Sequence, residues 1–157
     1  MSCRMFIHGL ESSDQGTKAV FFREHFPDMV TPYFTGPLPR RMEKLNAILS
    51  GREEIILVGS SFGGLMASLF CIGNEGRVKK LILLAPAIHL MEFNMHRASR
   101  VALPVWIYHG RQDEVIPLID VKGVATAVFA DLRFHAVDDD HSLHKTFKKI
   151  PWHQLLS

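Results

Sequence analysis

Three things that would classify the chain quickly are scarce or missing. Only two cysteines, Cys3 and Cys71, occur in 157 residues. Neither stands in a C-x-x-C or metal-ligand spacing, which excludes a disulfide framework and a cysteine zinc site. Both are expected as reduced thiols of a cytoplasmic protein. No sign of charge dominates: 18 Lys and Arg against 16 Asp and Glu leave a formal +2. That is too little to argue for nucleic acid or an anionic membrane surface. The one basic cluster, Lys145, Lys148 and Lys149, reads as a solvated helix face. No apolar run approaches the ~18 residues of a membrane-spanning helix. The opening "MSCRMFIHGL" reads as a strand and turn, with no room for a leader's charged, apolar and cleavage regions.

Two kinds of apolar segment alternate along what remains. Short β-rich runs are Met5–His8, Met29–Phe34 (interrupted by Pro32), Ile55–Val58, Leu81–Ala85, Val105–Tyr108 and Leu132–Val137. Several are apolar at every position, as in strands covered on both faces of a parallel sheet. Between them, Leu38, Met42, Leu45 and Leu49 recur at helical steps. Thr17–Phe26, Phe62–Ile72 and Leu118–Phe129 are similar, and Pro37 and Pro117 sit where a helix tolerates proline. The alternation predicts one α/β domain over residues 1–157, with a mostly parallel sheet of about six strands between helical layers. No repeat, low-complexity tract or linker divides it.

In such sheets ligands bind beyond the carboxyl ends of the strands. The positions just after the runs read His8-Gly9-Leu10, Gly59-Ser60-Ser61-Phe62-Gly63, His109-Gly110-Arg111-Gln112-Asp113 and Asp138-Asp139-Asp140-His141. The second matches G-x-S-x-G with Ser61 central, between "EIILV" and a helical stretch. A turn of that kind pushes the hydroxyl outward and sets the Phe62 N–H at a helix start, where it can stabilise an oxyanion. Ser60 is one position out of phase and reads as a small residue of the turn, although an exchange of roles stays open. A serine needs a base and a group to orient that base. His141 can be the base. Asp113 is preferred as the acid because it comes from a different loop, with Asp138, Asp139, Asp140 and Glu114 as competitors.

"FIHGLESS", "LVGSSFGG", "HGRQDEVIP" and "DDDHSL" together resemble the landmark segments of the α/β-hydrolase superfamily, in particular its small lidless bacterial serine esterases. The resemblance runs from Phe6 to Leu143. It implies a three-layer sandwich without a cap domain, Ser61 as nucleophile, Asp113 as orienting acid and His141 as base. It also implies an oxyanion hole formed by the backbone N–H groups of Leu10 and Phe62. The usual hairpin before the oxyanion strand is missing, and the interval from Ala85 to Pro104 is too short for a helical cap.

The expected function is therefore a serine hydrolase acting on a small carboxylic ester, without cofactor, metal, nucleic acid or membrane insertion. A thioesterase, a small peptidase, or a non-catalytic protein binding a ligand or partner are the alternatives. Met91, Phe93 and Met95 alternate in a short insertion where acyl-binding residues would be needed. His8 and His109 read as structural. "DDDHSLH" has no second ligand cluster to make a metal site.

Overall fold

Strand side chains point alternately to the two faces of a sheet, so a strand covered on both sides divides its apolar residues between two cores. In the computed structural model, which describes residues 2–10, 12–90, 93 and 99–157, this division is clean. Strand β1 (Cys3–Ile7) sends Cys3, Met5 and Ile7 to one face and Phe6 to the other. Strand β2 (Ile55–Ser60) divides Ile55 and Leu57 from Ile56 and Val58, and β3 (Val78–Leu84) divides Leu81 and Leu83 from Ile82 and Leu84. Strands β4 (Val101–Gly110) and β5 (Phe129–Val137) complete a five-stranded sheet in the order β1-β2-β3-β4-β5, every pair parallel.

Helices cover both faces. Helices α2 (Leu38–Ile48), α3 (Phe62–Gly73) and α4 (Leu118–Val128) pack on the first core through Leu45, Leu65, Met66 and Val121, among others. Helix α1 (Thr17–His25) and the short C-terminal α5 (Trp152–Leu155) pack on the second through Ala19, Phe22, Trp152 and Leu155. Pro37 and Pro117 are the residues immediately before α2 and α4, where a missing N–H costs nothing. No helix among the described residues is long and apolar enough to cross a membrane.

The run Met29–Phe34 is not a sixth strand. Val30 alone bridges to Met5 at the outer edge of β1, accepting from the Phe6 N–H at 2.9 Å and donating to Arg4 O at 2.8 Å. Two residues on, Pro32 has no N–H to continue a ladder. The next position in phase with Val30 and Pro32 is Phe34, and its N–H goes instead to Nε2 of His8 at 2.9 Å. The chain thus moves outward from β1 through α1 to Val30, then returns over the opposite face through α2 to β2. This reversal is a topological switch, and the carboxyl ends of β1 and β2 beside it are where such sheets build sites.

Candidate active site

The Gly59–Gly63 turn is forced tight by close backbone approach. A Cβ on Gly63 would lie 2.1 Å from Ile7 O and 2.6 Å from His8 O, and one on Gly59 would lie 2.5 Å from Gly63 O. Only residues without a side chain let α3 begin directly against the ends of β1 and β2. Ser61, between them, takes φ 54° and ψ −116°, well outside the ordinary regions for a residue with a Cβ. Such a conformation costs roughly 1–3 kcal/mol. It persists because the surroundings hold Ser61 from both ends: its N–H donates to Leu84 O at 2.9 Å, and its carbonyl accepts from Gly64 and Ala87, each at 2.9 Å.

Phe62 opens α3, so its N–H has no carbonyl one turn earlier to bond. Neither it nor the Leu10 N–H donates a hydrogen bond among the described residues. Leu10 itself is 53% exposed, on the loop after β1.

Asp113 is buried on the turn after β4, and its carboxylate is fully engaged. Oδ1 accepts the N–H groups of Val115 at 2.9 Å and Ile116 at 2.8 Å. Oδ2 accepts Nδ1–H of His141 at 2.8 Å. A His141 ring that donates through Nδ1 keeps its Nε2 lone pair for another proton. His109, fully buried at the end of β4, places Nε2 2.8 Å from Ile116 O and 3.2 Å from Asp113 Oδ2. Its N–H is directed at both, and it is a second positive edge toward the same carboxylate oxygen. Burial holds its pKa below the ordinary histidine value, against the opposing pull of the Ile116 carbonyl and Asp113.

The competing acids are spent elsewhere. Asp139 is buried and accepts the N–H groups of Asp140, Lys145 and Thr146 at 2.8–2.9 Å, folding the loop that carries His141. Burial acts to raise its pKa, but these hydrogen bonds outweigh it and the net shift is downward. Asp140 pairs with the exposed His144 at 2.7 Å. Asp138 and Glu114 are exposed and make no ion pair among the described residues. His135 stacks on Tyr108, ring centroids 4.5 Å apart, and is not among the walls of the cavity described below.

His8 is fixed in one neutral tautomer. Its Nδ1–H donates to Gly9 O at 2.8 Å while Nε2 accepts from the Phe34 N–H at 2.9 Å, which leaves no nitrogen for proton transfer. Desolvation lowers its pKa, consistent with a ring kept uncharged.

Ser61 and His141 share the wall of a cavity of about 640 Å³, within the usual range of about 300–1,000 Å³ for small-molecule sites. Its other walls are Leu10, Thr17, Lys18, Val115 and Phe147, with Ser60 beside Ser61. No hydrogen bond joins Ser61 to His141 here, and such bonds commonly tighten only around substrate. Sequence reasoning missed the contribution of α1: nothing in the Thr17–Phe26 pattern marks its first turn as a cavity wall. It also missed Asp139 as the organiser of the His141 loop. For the acyl-binding segment, Met91 and Met95 lie outside the described residues. Phe93 is described and is a core residue, fully buried with its ring 6.3 Å from Phe129, and not among the cavity walls. A large apolar ring is retained most strongly where water is fully excluded.

No family model and no curated relative matches the chain. Solved structures do. An α/β serine hydrolase homologue from Coxiella burnetii superposes with a TM-score of 0.77 at 18% identity, over 98% of this chain and 83% of that one. Est1E from Butyrivibrio proteoclasticus, with ferulic acid bound, gives 0.76 at 16% identity, over 99% and 86%. A hydrolase candidate of the α/β superfamily from Xanthomonas campestris pv. campestris gives 0.73 at 25% identity, over 94% and 91%. By these superpositions, the chain has the fold of the α/β hydrolases.

Proposed function

We propose that the protein is a serine hydrolase that cleaves carboxylic esters through an acyl-enzyme. The observation that carries the reading is the Asp113–His141 hydrogen bond on the wall of the cavity that also holds Ser61 at its strained turn. Ser61 Oγ bonds to the ester carbonyl carbon as its proton passes to Nε2 of His141, while Asp113 holds Nδ1–H and stabilises the imidazolium. The Leu10 and Phe62 N–H groups receive the developing oxyanion, and losing one such donor typically costs about 2.7–4 kcal/mol. The carbon–oxygen bond to the alcohol then breaks, and the alcohol leaves with the proton from His141. Water gives a proton to His141, its oxygen bonds to the acyl carbon, and the Ser61 ester breaks. Ser61 recovers the proton and the acid is released.

The chemistry asks for no cofactor. The ferulic acid bound to Est1E gives a precedent for a carboxylic acid held on this fold. Thioester and peptide cleavage use the same groups, and acyl-CoA and peptide panels beside the esters separate them. The test is turnover of p-nitrophenyl acetate and butyrate, with fluorophosphonate labelling, by wild type and Ser61→Ala. Labelling and turnover that both vanish in folded Ser61→Ala are expected. Turnover that persists in the variant refutes Ser61 as nucleophile, and folded wild type that neither labels nor turns over favours a binding protein.

A further inference from the structure

We propose that the cavity beside Ser61 takes an ester bearing a second, anionic group, a carboxylate or a phosphate, with Lys18 as its partner. For the reaction this rests on the hydrolase reading above; for the binding of the anion it does not.

Lys18 lies in the first turn of α1, half-buried, on the same cavity as Ser61 and His141. Its Nζ donates one hydrogen bond, to Ser142 O at 2.8 Å, directly after His141. An ammonium has three donors, so two are unspent among the described residues. The ammonium also lies 5.4 Å from the Phe147 ring centroid, a contact that offsets part of the lost hydration.

The two carboxylates that act on Lys18 through space take their hydrogen bonds from other groups. Asp139 is held by three backbone N–H groups, and Asp140 by His144. No described carboxylate forms an ion pair with Lys18, and none lines the cavity. Lys148 adds a second positive charge at the exposed rim. Burial lowers the Lys18 pKa, as expected for a partly dehydrated ammonium, while Asp140 and Asp139 act the other way.

A partly buried cation that no described carboxylate touches gains from an anion that does. The interior beneath it is apolar, formed by Phe6, Leu143 and Phe147. An apolar spacer ending in an anion fits that sequence of surfaces better than a plain alkyl chain, which would leave both spare donors facing hydrocarbon.

The experiment compares monoethyl succinate with its neutral isostere, ethyl 4-methylpentanoate. Calorimetry on the folded Ser61→Ala protein reads binding without turnover, and acid release by wild type reads kcat/KM. The anionic ester is expected to bind at least about tenfold tighter, the value of one charge-assisted hydrogen bond, and to show a similar kcat/KM advantage. Lys18→Gln has no charge, so the ratio between the two esters should fall to about one; Lys18→Arg should keep it. In unmutated protein the advantage should shrink as salt rises, which tests the idea even where a variant fails to fold. Competition by inorganic phosphate against succinate tells which anion the site prefers. Equal binding of the two esters, or a preference that survives Lys18→Gln, overturns the proposal. Lys18-dependent binding without turnover of any ester overturns the hydrolase reading and leaves the anion site standing; turnover without anion preference does the reverse.

Discussion

Gly110 ends β4 opposite Val137 of β5, and a methyl group there should disable the site without touching a reacting group. An added Cβ would lie 2.3 Å from Asp139 O and 2.6 Å from Asp140 O, both backbone atoms of the loop that carries His141. Bringing the nearer oxygen out to an ordinary 3.4 Å requires a retreat of about 1 Å. The same oxygen accepts the Gln112 N–H at 3.0 Å, so that hydrogen bond weakens as the loop moves. His141 moves with the loop while Asp113 stays on the β4 turn, and a misplacement of about 1 Å costs on the order of 10²-fold in rate. Overpacking of this kind also lowers stability by about 1–3 kcal/mol. Gly110→Ala should therefore lower kcat for p-nitrophenyl butyrate about 100-fold and lower the urea midpoint, with KM changing less. Gly73→Ala is the control. It lies in α3 with nothing within 4 Å of the added Cβ, and it should keep wild-type kcat and gain about 0.5–1 kcal/mol. Wild-type kcat in folded Gly110→Ala would refute the claim that this contact sets the position of His141.

Asp113→Asn would turn an NH2 group toward His141 and reverse its tautomer, removing the Nε2 lone pair; kcat should fall on the order of 10⁴-fold with the fold retained by circular dichroism. A loss under tenfold would assign the orienting role elsewhere. His8 and His109 are both buried with lowered pKa values, so the unfolded chain takes up their protons first as pH falls. Their contribution to stability is intact above the ordinary histidine value of about 6.5 and is lost progressively below it. Urea unfolding at pH 8 and pH 5 should show this decline, and His109→Gln, which cannot become charged, should reduce it. An unchanged slope in that variant would mean that His109 is not neutral in the folded protein.

Local pattern alone located the central strands, because Ile55–Val58 of β2 and Leu81–Leu84 of β3 are buried on both faces and apolar at every position. The Ser61 turn was legible for a related reason: glycines two positions either side of a serine serve a backbone contact that no other residue permits. The ends of β4 and β5 were less clear. They extend to Val101 and Phe129, beyond the runs Val105–Tyr108 and Leu132–Val137, because pairing with a neighbour and not hydrophobicity decides where a strand stops. Whether Met29–Phe34 became a strand depended on one bridge to β1 and on a proline two residues later.

Sequence by itself determined which chemical groups were available, their order along the chain and the sheet edge at which they would emerge. Tertiary structure decided which of the aspartates meets His141, since Asp139 and Asp140 are nearer in the chain yet turn to the backbone and to His144. It also decided that His8 has no free nitrogen, that Phe93 belongs to the core and that Lys18 of α1 reaches the cavity. The physical reason is the same in each case. Residue type states what a side chain can do, but direction and hydration come from segments remote in sequence, and those are brought together only by packing.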